Sequence, residues 1–159
     1  EVRLEQKPFL LSRLLKETSG VLDMQARECG ITLNIVNEAA EHDHLIGSPV
    51  HLGQVLQNII GNAIKYTQDG GTIEIRLDIN PKNSNEIRVR VTDNGIGMDK
   101  ATTERIFEKF YQGDSSRKAM GNGLGLPLVK RIVELSDGVI EVDSAPGQGS
   151  TFRVILPKK

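Results

Sequence analysis

Tryptophan is absent from this 159-residue chain and aromatic residues make up only 4 % of it, which disfavours the stacking platforms used by single-stranded nucleic-acid modules. The single cysteine, Cys29, leaves no internal disulfide, and with His42, His44 and His51 it makes no zinc-ligand spacing. A reducing, cytoplasmic setting is expected. No run of about 18 apolar residues occurs, so no membrane-spanning helix is read. Charge of one sign is lacking too: 20 Lys+Arg stand against 21 Asp+Glu, a formal net charge of -1. That argues against a broad basic footprint, and no nucleic-acid partner is expected. With neither Met nor a signal segment at its start, the chain is expected to be a piece of something longer.

What is present is ordinary globular composition, 38 % hydrophobic and 26 % charged, in a length that suits one domain. Apolar spacing predicts a helix from Pro8 to Ala26, ended by Gly30. Short strands are expected at Ile31–Val36 and Leu45–Ile46. A second helix runs from Pro49 to Tyr66, with Ser48 as N-cap and Pro49 at its first position. Strict alternation marks strands over Thr72–Ile79 and Ile87–Val91, joined by a hairpin loop at Pro81–Asn85. A glycine turn at Asp93–Asp99, a short helix at Thr102–Phe107 and an aperiodic polar stretch from Gln112 to Gly123 follow. A helix at Pro127–Leu135 and two strands at Val139–Ser144 and Ser150–Leu156 complete the chain. The expected fold class is α+β, a two-layer sandwich with a mixed five-stranded sheet under about three helices.

Three local features carry chemistry. On the second helix, Asn58 and Asn62 stand one turn apart, followed by Lys65 and Tyr66, on the side away from the apolar stripe. Asparagine is a poor helix former, so the pair has a cost. Read alone, the ridge is as well explained by a solvated face as by two amide oxygens aimed at a hard cation such as magnesium. Asp93-Asn-Gly-Ile-Gly97 follows a strand; it is either an ordinary turn or an acidic acceptor with flexible backbone beside it. Gly121-Asn-Gly-Leu-Gly125 leads into a helix, where free amides and the helix dipole favour an anion. Nine of the 16 glycines lie between Gly95 and Gly149. No phosphate loop of the G-x-x-x-x-G-K-[S/T] type and no protein-kinase motif set occurs.

Taken together, Asn58-Ile-Ile-Gly-Asn62-Ala-Ile-Lys65-Tyr66, Asp93-Asn-Gly-Ile-Gly97, Ile106-Phe-Glu-Lys-Phe110-Tyr111 and Gly121-Asn-Gly-Leu-Gly125 resemble the N, G1, F and G2 boxes of sensor histidine kinases. They stand in that family's order and spacing, and Gly147-Gln-Gly-Ser-Thr151-Phe closes the chain as the family does. The resemblance covers about Pro8 to Leu156 and implies the catalytic, ATP-binding domain with its Bergerat fold. Residues 1–7 are then the remnant of an upstream dimerisation helix or linker, and residues 8–159 the domain, with a lid at about 112–122.

The resemblance implies ATP and Mg2+ as ligands. Asp93 would accept the adenine amine, with Thr151 backing that contact and Gly95 and Gly97 admitting the ring edge. Asn62 and Asn58 would hold the metal, and Lys65 and Tyr66 would line the phosphate and ribose side. Gly121, Gly123, Leu124 and Gly125 would present the phosphate-binding segment. The lid charge near the γ-phosphate falls on Arg117 or Lys118, because Gln112 stands where the family often has arginine. Phe107 and Phe110 would anchor the lid. Leu135-Ser-Asp-Gly138 and Gly47-Ser-Pro49 also depart from the usual pattern.

No phosphoacceptor is expected in this chain. His42-Asp43 has the right dipeptide but lies between strands, and all three histidines are read as surface residues. The implied partners are a histidine-bearing dimerisation domain of the same protein and a response regulator, with this piece monomeric and the parent a homodimer. Neither Gln57 nor Asn58 can take a proton from water, so the resemblance implies transfer rather than hydrolysis. A degenerate nucleotide-binding regulator and a serine kinase of the anti-sigma type are the alternatives.

Overall fold

The structure is a computed structural model and describes residues 4–39, 42–80, 82–108 and 125–158. Its main sheet has five strands: β2 (Thr32–Asn37), β4 (Thr72–Ile79), β5 (Glu86–Asp93), β6 (Val139–Ser144) and β7 (Ser150–Pro157). They lie in the order β2-β4-β5-β7-β6, with β2 parallel to β4 and every other pairing antiparallel. Helices α1 (Leu11–Glu28), α2 (Pro49–Tyr66) and α4 (Gly125–Leu135) cover one face, α2 packing against both neighbours. A short α3 (Lys100–Arg105) lies against β6. The mixed five-stranded, two-layer α+β arrangement is the one expected.

Alternation explains which face is covered. Ile73, Ile75 and Leu77 of β4, Ile87, Val89 and Val91 of β5, and Phe152, Val154 and Leu156 of β7 are all buried beneath the helices. They meet Leu52, Val55, Leu56, Ile59, Ile60 and Ala63, the apolar stripe of α2. The opposite face carries ion pairs: Arg88 and Arg90 share Asp78, Arg76 binds Glu38 and Glu74, and Arg153 binds Glu141 and Asp143.

The N-terminal end differs from expectation. Residues 8–10 are not helical: β1 (Lys7–Leu10) pairs antiparallel with β3 (His44–Gly47) in a separate two-stranded sheet, and helix α1 starts only at Leu11. Leu4 packs against the core, so the folded unit begins before Pro8. The cause is tertiary. Leu10 occupies the N-cap position and has no side chain to cap with. Asp43 does it instead from across the fold: its carbonyl accepts from the Leu11 N–H at 3.0 Å and its carboxylate from the Ser12 N–H at 2.7 Å. A partner 31 residues away is invisible to local spacing. Helix α3 likewise starts at Lys100 rather than Thr102, because Asp99 caps it through the Thr102 N–H at 2.7 Å.

The same contact explains why His42-Asp43 is no phosphoacceptor motif. Asp43 is 2 % exposed and committed to α1, whereas His42 and His44 are exposed. His51 is half-buried, not a free surface residue, with Nδ1 2.7 Å from the Ser48 hydroxyl at the start of α2. Burial alone would raise the Asp43 pKa, but the Ser12 hydrogen bonds outweigh it and hold the carboxyl below its ordinary value. Its folded pKa therefore lies under its unfolded one, so its contribution is present above the ordinary carboxylate range and lost as pH falls through the folded pKa. Asp43→Ala is expected to lower stability by about 1–2 kcal/mol near neutral pH. Urea unfolding at about pH 6 and about pH 3 should show that gap closing at the lower pH; a gap that widens instead contradicts the capping role.

Candidate functional site

Three segments meet at one end of the sheet: the C-terminal half of α2, the turn after β5, and the turn between β6 and β7. Asp93 is the last residue of β5 and continues its inward alternation after Ile87, Val89 and Val91. Its carboxyl group therefore points under the helices, 4 % exposed. Oδ1 accepts from the Gly95 N–H at 2.9 Å, and the Ser150 N–H also donates to the carboxyl group. Burial pushes the Asp93 pKa up, and these two amides pull partly against it. Among the described residues this buried carboxylate is held by backbone amides alone, an acceptor prepared for a further donor.

Gly95 and Gly97 serve the turn itself. A Cβ on Gly95 would lie 2.1 Å from the Tyr66 carbonyl oxygen, and one on Gly97 would lie 1.9 Å from that of Ala145. The space each glycine leaves is filled by the chain's own backbone. The Ile96 N–H donates to the Tyr66 carbonyl at 3.1 Å, and the Ile96 carbonyl accepts from Gly147 at 2.7 Å. The turn after β5 is thus clamped between the end of α2 and the β6–β7 turn. What is observed at both glycines is close backbone packing, a condition for holding Asp93 in place.

On α2, the polar ridge is not a uniformly solvated face. Gln54 is exposed, but Asn58, Asn62 and Tyr66 are half-buried and Lys65 is 6 % exposed. Asn58 lies against α4: a Cβ on Gly125, the first residue of that helix, would be 3.1 Å from Asn58 Oδ1. Lys65 Nζ sits 5.4 Å from the centre of the Tyr66 ring. Burial lowers its pKa, and among the described residues no carboxylate lies within ion-pair distance of it. A partly desolvated cation one turn on from Asn62 suits a polyanionic ligand.

Among the described residues no three His, Cys, Asp or Glu side chains converge as a metal centre. The donors on offer are the amide oxygens of Asn58 and Asn62, which fit a hard cation that keeps waters and brings phosphate oxygens with it.

Thr151 is not where the resemblance placed it. Along β7, Ser150, Phe152, Val154 and Leu156 face inward, and Thr151 faces out. Its hydroxyl donates to the Thr92 hydroxyl at 3.2 Å on the open side of the sheet. The residue opposite Asp93 in the ladder is Ser150, buried on the same face. Strand alternation counted back from Phe152 was the signal that identifies it. Gly149, which has φ 74°, is also part of this corner, since a Cβ there would be 2.0 Å from the Asp93 carbonyl oxygen.

Phe107 packs against the core with the Lys130 ammonium 5.7 Å from its ring centre. Phe110, the expected lid at 112–122 with Gln112, Arg117 and Lys118, and Gly121, Gly123 and Leu124 lie outside the described residues.

Comparison with known proteins agrees with this geometry. Residues 47–159 match the family model described as histidine kinase-, DNA gyrase B- and HSP90-like ATPase. The chain is 39 % identical over 161 residues to the sensor histidine kinase AruS of Pseudomonas aeruginosa, covering 94 % of this chain and 16 % of that protein. It is 37 % identical over 159 residues to the circadian input-output histidine kinase CikA of Synechococcus elongatus, covering 98 % and 21 %. The chain thus spans about a fifth or less of these relatives. Among solved structures, full-length ShkA in complex with AMPPNP superposes with a TM-score of 0.85 at 28 % identity, over 98 % of this chain and 32 % of that one. The catalytic domain of histidine kinase ThkA gives 0.82 at 25 %, over 97 % and 96 %. The chain belongs to the family of histidine kinase-, DNA gyrase B- and HSP90-like ATPases, and within it is similar to the catalytic domains of sensor histidine kinases.

Proposed function

We propose that this chain is the ATP-binding catalytic domain of a two-component histidine kinase, which binds ATP with Mg2+ and gives up the γ-phosphoryl group to a histidine on a separate dimerisation domain. The observation that carries this reading is the placement of Asp93. An inward-facing, amide-held carboxylate stands at the end of β5, in a turn packed on the end of α2, the helix that carries half-buried Asn58, Asn62 and Tyr66 and buried Lys65. Asp93 would take the adenine amine and Lys65 the phosphate charge, while Asn58 and Asn62 would hold the metal. The metal's part is to neutralise phosphate charge, and the chain's own groups orient the nucleotide. Gly121 to Gly125 would supply amides at the start of α4, with Arg117 or Lys118 nearest the γ-phosphate.

Transfer is favoured over hydrolysis by the residue chemistry of α2. Gln57 is exposed and Asn58 half-buried beside Gly125; neither amide accepts a proton at neutral pH. The phosphoryl group would then pass to an aspartate of a response regulator, which places the domain on the cytoplasmic side, where ATP is supplied. As a separate piece the domain would be monomeric and its parent homodimeric.

Incubation with γ-labelled ATP and a histidine-bearing dimerisation domain tests the reading. Label on that domain that is acid-labile and base-stable is the expected result. Acid-stable label indicates a serine kinase, and tight nucleotide binding without any transfer indicates a regulatory module. Asn62→Ala should weaken ATP binding at least tenfold with magnesium present and by less than about twofold in its absence, the loss of one metal or charge-assisted contact. Equal losses under both conditions would remove Asn62 from the metal site.

A further inference from the structure

The corner around Asp93 is fastened by a residue that none of the sequence motifs contains. Ser144, the last residue of β6, makes three contacts through one hydroxyl group. The Met98 N–H donates to it at 2.8 Å, its Oγ lies 3.0 Å from the Gly149 carbonyl oxygen, and the Ser150 hydroxyl is 2.7 Å away. It thereby joins the turn after β5, the β6–β7 turn and the first residue of β7. Two of these pieces, the turn after β5 and the first residue of β7, supply the Gly95 and Ser150 amides that hold the Asp93 carboxyl group, and the third, at Gly149, packs on the Asp93 backbone.

Proton counting gives the contacts a direction. A serine hydroxyl has one proton and two lone pairs. The Met98 N–H can only donate and the Gly149 carbonyl can only accept. All three contacts are hydrogen bonds together only if Ser144 gives its proton to Gly149 and Ser150 gives its own to Ser144. The Ser150 proton is then turned away from Asp93, and Ser150 offers lone pairs alone on the face it shares with that carboxylate.

We propose that Ser144 is a specificity-positioning residue of the nucleotide site: it holds the Ser150 hydroxyl as an acceptor beside Asp93, so that the side chains of this corner present acceptors and favour a purine with an amine at C6. The inference rests on the ATP-site reading above. A carbonyl at the same place, as on guanine, meets oxygen against oxygen. Without Ser144, the Ser150 hydroxyl turns freely and offers its proton to whatever lies beside Asp93, to Asp93 itself or to a carbonyl on the base. Buried polar groups that lose a fixed partner discriminate less between a donor and an acceptor.

The test compares two nucleotides in calorimetric titrations of the 159-residue chain: an ATP analogue, and the matching purine analogue that lacks the N6 amine. For the unaltered chain the ATP analogue should bind more tightly. In Ser144→Ala its affinity should fall about tenfold while that of the amine-free analogue changes less than about twofold, the size expected for one redirected hydrogen bond. Ser144→Thr, which keeps the hydroxyl, should restore the discrimination. Equal weakening of both nucleotides means that Ser144 only supports the fold, and unchanged affinities remove it from the site; either overturns the proposal. Should the alanine variant not fold, Ser144→Cys, close in size with a weak donor, serves in its place. An unaltered chain that binds neither nucleotide overturns the ATP-site reading itself and the inference with it.

Discussion

Asp93→Asn is expected to weaken binding of an ATP analogue by about 1.5–3 kcal/mol, roughly ten- to 150-fold. The carboxylate already accepts from Gly95 and Ser150, and as an ion it has lone pairs left for an amine. An asparagine in the same place keeps one oxygen. If that oxygen stays on Gly95, the amide NH2 faces Ser150 and the base, presenting donors to donors. The effect on the empty chain is smaller. Because burial raises the Asp93 pKa, the ionised form is a cost to the folded state at neutral pH, relieved as pH falls through that raised pKa. Removing the charge removes this cost and so offsets the loss of the Ser150 contact, and the variant should lose less stability than binding free energy. A residue kept for binding behaves this way and a residue kept for the fold does not. Calorimetry and urea unfolding on the same preparation check both halves, and unchanged affinity would remove Asp93 from the site.

Gly95→Ala has the largest expected effect on stability, a loss of about 3 kcal/mol or more, at or beyond the top of the overpacking range. The added Cβ would fall 2.1 Å from the Tyr66 carbonyl oxygen and 2.9 Å from Asp93 Oδ1. The first of these is backbone at the end of α2 and cannot rotate aside. To admit the methyl group, the turn must lift off the helix and break the Ile96-to-Tyr66 hydrogen bond. Gly20→Ala is the control, since nothing lies within 4 Å of that added Cβ in the middle of α1. There alanine should add about 0.5–1 kcal/mol by helix propensity alone. Urea midpoints at constant slope measure both. A Gly95→Ala loss under about 1 kcal/mol would mean that the clamp on the turn is soft.

How much of this was legible in the sequence depends on the distance over which each feature is determined. Helix α2 was readable from end to end because its cap, first-turn proline and apolar stripe are all local: Ser48, Pro49 and the spacing of Leu52 to Ala63. Strands β4, β5 and β7 were readable because period-two alternation survives wherever one face is buried. The start of α1 was not, because its cap comes from Asp43, 31 residues away, and because Pro8 and Phe9 find strand partners in β3. In the site, Asp93, Asn58 and Asn62 were found through motif resemblance; the inward placement of Asp93 follows from the alternation of β5, whereas the half-burial of Asn58 and Asn62 depends on neighbouring elements and not on the spacing within α2. Thr151 was misplaced by one residue, and in a strand one residue reverses the face. Ser150 was recoverable by counting back from Phe152. Ser144 was not, since its importance lies in three contacts with residues 5 to 46 positions away.

The central claim is that one corner of this fold, built on Asp93 and the Asn58–Asn62 ridge, recognises adenine nucleotide together with magnesium. Calorimetric titration with a non-hydrolysable ATP analogue, with and without magnesium and beside the matching GTP analogue, tests it most directly. The account predicts binding of the ATP analogue that strengthens with magnesium and exceeds that of the GTP analogue by at least tenfold, the value of one charge-assisted hydrogen bond to the base. GTP bound as tightly as ATP, or no binding of either at millimolar nucleotide, would contradict it.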